Sequence, residues 1–352
     1  MEHDGITLLT SSFQIVSMNV QLEGGHTQSV LSIAVTTDGT GRIISGAENS
    51  ELCLWSPDGD VIEKVKLPEE CDISAVCCST EHPHCLYTAA GKKIQVFDLR
   101  SFRDPVEEYD FNEDEINQIV LNKKEKYLAA CDDSGQVKVI NLDDKKLYRT
   151  LRKHTNICAT VSFRPNRDSD LLSGAYDCKL IQWDFARVRS VCTMSMQDFG
   201  TAGEAIGSPM LTPPFVHSLA LSSDGGIMAV GTENALVEIF DASKRTLSYR
   251  KTFRRHTQGV CQVHFPVFND DFLVSGGNDG NIFLWDMTHS SGSGVTCNGL
   301  SNGKPHCDEV VPKFTIEHSH KVNWISSGMC VNRKFFVVAD NTCDPMLYAF
   351  PE

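Results

Sequence analysis

Ser275-Gly276-Gly277-Asn278-Asp279-Gly280-Asn281-Ile282-Phe283-Leu284-Trp285 decides the fold of this chain. Residues 275 to 280 read as a tight turn, because Gly tolerates positive φ and Asp can hydrogen-bond back to its own backbone. The flanking runs Phe272 to Ser275 and Asn281 to Trp285 are β-branched or aromatic and bounded by turn residues, so together they read as a hairpin. Working outward, His256 stands twenty-three residues before Asp279. The same set recurs as His154, Ser173, Asp177 and Trp183, and again, with Asn in place of Asp, as His26, Ser45, Asn49 and Trp55. Three copies of one spacing mean that a structural unit repeats. Side chains at these offsets can form one chain of hydrogen bonds, in which the carboxylate accepts from imidazole and the imidazole and hydroxyl link inward to the indole N–H.

The repeated unit resembles the WD-repeat family from about Gly24 onward. That resemblance implies an all-β fold, a radial propeller with four strands per blade. Residues at the Trp position are Trp55, Phe97, Ile140, Trp183, Phe240, Trp285 and Tyr348, which makes seven repeats at intervals of 42, 43, 43, 57, 45 and 63 residues. The two long intervals predict loop insertions at about 195–213 and 288–312, both rich in Gly, Ser or Pro. Phe13 to Val20 lies ahead of the first repeat, and no strand follows Leu347 to Phe350. The first strand is therefore expected to complete the last blade and close a seven-bladed propeller, with residues 1–352 forming a single domain.

Composition sets limits on partners and compartment. There is no apolar run near twenty residues and no basic segment leading into an apolar one at the start, so neither secretion nor membrane spanning is expected. The fourteen cysteines are scattered without a Cys-x-x-Cys pair, and several, Cys158 and Cys261 among them, fall in expected core strands. Reduced thiols and an intracellular location, cytoplasmic or nuclear, follow. A net charge of −14 and the acidic stretch Asp104 to Glu115 argue against nucleic acid as the main ligand. Two small basic clusters, Lys123-Lys124 with Lys126 and Arg250-Lys251 with Arg254-Arg255, read as solvated turn faces.

Catalytic chemistry finds little support. A His/Ser/Asp set superficially matches a hydrolase triad, but a nucleophile needs an exposed hydroxyl beside an oxyanion hole, and here the set repeats at structural positions. His82-Pro83-His84-Cys85 and His318-Ser319-His320 lack a second pair at zinc-ligand spacing, so no metal is expected. No phosphate-binding loop or other cofactor site is supported either. The expectation is a non-enzyme, a monomeric propeller that binds other proteins.

One motif gives that expectation a direction. Phe97-Asp98-Leu99-Arg100 is similar to the Trp-Asp-x-Arg motif by which WD-repeat substrate receptors dock on the damaged-DNA-binding adaptor of type-four cullin ubiquitin ligases, with Phe in place of Trp. Asp98 and Arg100 would point to one side, where a guanidinium can make bidentate contacts with a partner. The alternative is an Arg that pairs with Asp98 within its own turn. Further stretches, Glu113 to Asn117, Asp132 to Val139, His154 to Cys158 with Phe163-Arg164-Pro165, and Glu317-His318 with Lys321 to Trp324, resemble one small family, WD repeat-containing protein 53. That resemblance implies a candidate ligase substrate receptor, with an adaptor and a substrate protein as partners. By analogy with other propellers, Gln28, Glu48, Asn156, Tyr176, Gln258 and Asn278 would line the substrate-binding mouth of the ring; Tyr176 is either an anchor or a packing residue. A general scaffold or peptide reader without a ligase link is the alternative.

Overall fold

A computed structural model describes residues 19–199, 212–288, 310–331 and 333–351. Seven four-stranded antiparallel sheets follow one another as blades, each meandering from a first, inner strand to a fourth, outer one. Blade two is representative: Ile73–Cys78, Cys85–Ala90, Lys93–Asp98 and Glu107–Tyr109. All seven residues at the Trp position sit in third strands and are buried. They occupy the space between adjacent sheets, where a large side chain removes the most apolar surface from water.

Every first strand carries a β-bulge after its first residue, between Val30 and Ser32, Ile73 and Ala75, and so on through Val322 and Trp324. A bulge adds local twist, and the polar side chains beside it reach the next blade. Ser32 Oγ donates to the Ile73 carbonyl at 3.0 Å, Gln118 Oε1 accepts from Val161 N at 2.8 Å, and Ser218 Oγ accepts from Val263 N at 3.2 Å. Inner-strand backbone groups left over by the sheet thus find partners across the blade seam. The last seam uses the same device, with Asn323 Nδ2 donating to the Val30 carbonyl at 2.9 Å.

Closure runs through the N-terminal strand. Asn19–Gln21 pairs antiparallel with Tyr348, Leu347 and Met346, completing the blade built from Val322–Cys330, Arg333–Asp340 and Met346–Ala349. Leu22 extends the seam, donating its N–H to the Pro345 carbonyl at 2.8 Å while its side chain is fully buried. The rest of the expected strand, residues 13–18, lies outside the described residues.

The insertions are placed between different strand types. The first falls between blades four and five, and residues 196–199 already belong to the packed structure: Met196 is buried and Phe199 stacks on Tyr249 at 5.0 Å. The second lies within blade six, between Asn281–Asp286 and Phe314–Glu317, and pairing has resumed where Lys313 N donates to the Leu284 carbonyl at 2.7 Å. Their middles, residues 200–211 and 289–309, lie outside the described residues. No helix of the described residues is long and apolar enough to cross a membrane. The cysteines described carry free thiols; Cys158 is buried, whereas Cys261 is partly exposed rather than a core residue. Burial pushes the Cys53 and Cys77 thiols up to about 12.

Candidate functional site

The antiparallel meander gives the ring two distinct faces. One face carries the blade-to-blade loops and the turns between second and third strands; the other carries the first-to-second and third-to-fourth turns. The His/Ser/Asp/Trp sets lie along the first. In blade four His154 Nδ1 is 3.1 Å from both Asp177 oxygens, Ser173 Oγ is 2.8 Å from His154 Nε2, and Trp183 Nε1 donates to Ser173 Oγ at 2.8 Å. Blade six repeats this with His256 Nδ1 at 3.1 Å from Asp279 Oδ1, Nε2 at 2.9 Å from Ser275 Oγ, and Trp285 Nε1 at 2.8 Å from the same hydroxyl. Each Asp also accepts from backbone on both sides, Asp279 from Thr257 N at 2.8 Å and Asn281 N at 3.1 Å. Burial pushes the Asp279 carboxyl up, but the bonds from His256 and these amides outweigh it and hold it at about 2. Both hydroxyls are fully buried, so neither can reach a substrate, and the set ties a blade-to-blade loop to the neighbouring turn.

Other blades rebuild the clamp from different residues. In blade one His26 Nε2 is 2.6 Å from Ser45 Oγ, and Trp55 Nε1 donates to that hydroxyl at 2.7 Å. Asn49 does not replace the carboxylate; Glu51 does, accepting from Thr27 N at 2.6 Å and lying 3.7 Å from His26 Nδ1. In blade seven the carboxylate is Asp340, whose Oδ2 lies 2.8 Å from His318 Nε2, rather than a side chain at Asn341, and Tyr348 OH takes the Ser–Trp place at 2.6 Å from His318 Nδ1. Blade three pairs Asn112 Nδ2 with Asp132 Oδ2 at 2.9 Å. Asp132 stands two residues before Ser134, the place six residues ahead of Ile140, and Asp340 one residue before Asn341, the place twenty-three residues after His318.

Asp98 and Arg100 lie on the opposite face, where Asp98 ends the third strand of blade two. Asp98 Oδ1 accepts from Arg100 N at 2.9 Å and Asp98 O accepts from Ser101 N at 2.9 Å, forming a tight turn. Blades five and six build the same turn on Asp241 and Asp286, with the Ser243 and Thr288 hydroxyls donating to the carboxylate at 2.6 and 2.5 Å. In blade two a guanidinium takes that place: Arg100 Nε lies 2.9 Å from Asp98 Oδ1 and Nη2 2.5 Å from Oδ2. Arg100 thus pairs with Asp98 in its own turn. Its hydrogen bonds hold the Asp98 carboxyl far below the usual carboxylate range. The Arg100 side chain is nonetheless 67% exposed. Two of its five N–H groups face Asp98, which leaves three for another acceptor. Beneath it the turn is pinned by the buried side chains of Leu99 and Phe102, the latter 6.0 Å from the Phe97 ring.

The six mouth residues all fall in loops and turns of the clamp face. Gln28, Asn156 and Gln258 are exposed, whereas Glu48, Tyr176 and Asn278 are half-buried. Asn156 Nδ2 reaches the Tyr176 carbonyl at 3.5 Å, and Asn278 Oδ1 accepts from Cys261 Sγ at 3.0 Å. Tyr176 packs: its ring stacks on Phe215 at 5.4 Å and meets the His217 edge at 5.1 Å, and burial raises its hydroxyl's pKa. His217 in turn lies 2.5 Å from Glu233 Oε2, a pairing between blade-five residues that no repeated spacing signals. Among the described residues no three His, Cys, Asp or Glu side chains gather as a metal site.

Seven blades, seam bonds from bulged inner strands and His-centred clamps define a WD-repeat propeller. The WD domain, G-beta repeat family matches residues 19–56, 145–184 and 247–286, which contain all three copies of the set. The chain is 30% identical over 336 residues to WD repeat-containing protein 53 homolog of Dictyostelium discoideum, covering 89% of each chain. It is 26% identical over 281 residues to nuclear distribution protein PAC1-2 of Uncinocarpus reesii, which covers 78% of this chain and 58% of that protein. Against protein transport protein SEC31 of Eremothecium gossypii it is 30% identical over 152 residues, 43% of this chain and 12% of that one. The chain therefore belongs to the WD-repeat family, and within it to that of WD repeat-containing protein 53.

Proposed function

We propose that this chain is a non-catalytic protein-interaction propeller of the cell interior that serves as a substrate receptor, docking through Asp98 and Arg100, with the fully buried Phe97 supporting their turn rather than meeting the partner, on the damaged-DNA-binding adaptor of a type-four cullin ubiquitin ligase. The observation that carries this reading is the presentation of Arg100, a largely exposed guanidinium with unused N–H groups on a turn anchored by buried Leu99 and Phe102. A preordered arginine loses little freedom on meeting carboxylates or carbonyls of a partner. The clamp face, with Gln28, Asn156 and Gln258 exposed around it, is left for the substrate protein.

Affinity purification from cells tests this, comparing wild type with an Asp98→Ala/Arg100→Ala double variant. Adaptor and cullin should accompany the wild type and be lost with the variant while both fold equally. Their absence from the wild-type purification, or equal retention by the variant, sinks the docking assignment. The second reading is a scaffold or peptide reader without a ligase link, and the Asp98–Arg100 fork within the free turn favours it.

A further inference from the structure

On the same face as Arg100, four first-to-second-strand turns surround an open cleft of about 800 Å³. Its cations come from two blades. Lys123 and Lys124 stand in the turn of blade three, and Arg164 and Arg167 in the corresponding turn of blade four, so two basic pairs about forty residues apart converge. Apolar wall is supplied by Leu121, Phe163 and Pro165. On a chain of net charge −14, four cations against Glu81 and Asp168 give the lining of this cleft a positive balance, although Arg164 Nη1 also lies 3.3 Å from Asp170 Oδ2.

Arg164 is the floor of this arrangement. It is buried, and its Nη1 donates to the Arg245 carbonyl at 2.9 Å and its Nη2 to the Lys244 carbonyl at 2.7 Å, fixing the turn of blade four to blade five. Its Nε is buried with no hydrogen-bond partner among the described residues. The two lysines, by contrast, are exposed and held by replaceable contacts across the seam: Lys123 Nζ lies 3.4 Å from Asn166 Oδ1 and Lys124 Nζ 2.9 Å from Asp168 Oδ2. Exposed pairs of this kind contribute little and exchange readily for another anion. The turn of blade three is held in place by Glu125, which grips the neighbouring blade through Thr80 N at 2.5 Å and Thr80 Oγ1 at 2.7 Å.

We infer that this cleft docks a short acidic peptide segment of a partner protein, with its carboxylates on Lys123, Lys124 and Arg167 and its apolar side chains on Leu121, Phe163 and Pro165. A peptide fits better than a nucleic acid for two reasons. The lining mixes apolar surface with charge, and the anionic rim residues Glu81 and Asp168, with the strongly negative whole, repel a long polyanion beyond the cleft. The inference stands apart from the ligase reading, since it does not use Asp98 or Arg100.

Fluorescence anisotropy with a labelled peptide rich in Glu and Leu tests it on the full chain, with a labelled oligouridylate and inositol hexakisphosphate as competing probes. Saturable, salt-weakened binding of the peptide is expected, reduced about tenfold or more by Lys123→Glu/Lys124→Glu. The equal charge change in Lys66→Glu/Lys146→Glu, on exposed outer strands, should leave it within about twofold. Thermal unfolding checks that both variants fold. Absence of saturable peptide binding, equal loss in both variants, or tighter lysine-dependent binding of the oligonucleotide or inositol phosphate overturns the inference.

Discussion

The imidazole of His256 is the centre of a buried polar chain whose other members cannot find water. Removing it leaves the Asp279 carboxylate without its side-chain donor and opens space against Phe283, whose ring lies 4.6 Å away. His256→Ala is expected to destabilise the fold by about 2–4 kcal/mol, read as a lower urea midpoint with an unchanged slope. A midpoint equal to wild type would dismiss the clamp as a stabilising element. Two pH effects follow from the same chemistry with distinct windows. Asp279 is held at about 2, so the stability it contributes is present above the ordinary carboxylate value and is lost as pH falls from about 4 through 2. His26 is lowered to about 4, burial outweighing the attraction of Glu51. The unfolded chain then takes up a proton near 6.5 that the folded one refuses, so stability falls as pH drops from 6.5 towards 4. Glu238, raised to about 7 by burial, acts with the opposite sign between 4.5 and 7, so only a difference between variants isolates His26. His26→Gln should be less stable than wild type at pH 7.5, with the gap closing by up to about 1.4 kcal/mol per pH unit as pH falls below 6.5; a gap independent of pH would refute the assignment.

Elements show where the sequence was legible and where it was not. The seven third strands could be read because one large residue recurs at the seam of each blade, from Trp55 to Tyr348, and packing there requires bulk whatever its identity. The bulges could not, since they obey backbone geometry and no one residue type marks them: Leu31 occupies the place in blade one, His217 in blade five and Asn323 in blade seven. The substituted clamps escaped for a related reason. Glu51 and Asp340 deliver a carboxylate to the same point in space from other sequence offsets. Of the cleft cations only Lys123 and Lys124 stood out in the sequence, as an adjacent pair; Arg164 and Arg167 join them only through the stacking of blade three on blade four. Closure is the element most exposed to test. Deleting residues 1–22 removes the strand paired with Leu347 and the buried Leu22, leaving an open edge and an exposed core. The milder Leu22→Ala should cost about 2–5 kcal/mol and the deletion more, measured by thermal unfolding. If the deleted chain unfolds at the wild-type temperature, the strand is not the closure.

Across the whole molecule the clamps are unevenly distributed, and this sets where the ring opens first. Blades four and six carry the complete set, blades one and seven rebuilt ones, and blade two none: Tyr87 and Gly91 stand where a Ser and an Asp would be needed. Global unfolding should still be one transition, because each blade shares its apolar seam with the next and the last is shared with the first. Local opening draws on a different quantity, the number of bonds that must break for one loop to lift. In blade four Thr155 N donates to Asp177 at 3.1 Å, and in blade six Thr257 N donates to Asp279 at 2.8 Å, each carboxylate also bound by a buried imidazole. The loop entering blade two has no carboxylate–imidazole pair and is held instead by the Ser50 hydroxyl, which meets Cys71 N and the Glu69 and Cys71 carbonyls, and by Gly91 N donating to the Asp72 carbonyl at 3.2 Å. Hydrogen exchange read peptide by peptide should therefore show residues 153–157 and 255–259 protected well beyond residues 68–72, and His154→Ala should erase the protection of the first segment while leaving the second. Equal exchange at all three loops would mean that packing alone governs their opening. The expected gradient has a functional corollary, because the blade whose clamp-face loop opens most readily is the one that carries Asp98 and Arg100 on its opposite face. There the turn is fixed by Leu99 and Phe102 rather than by a clamp, so the presentation of Arg100 should persist while the other end of blade two breathes.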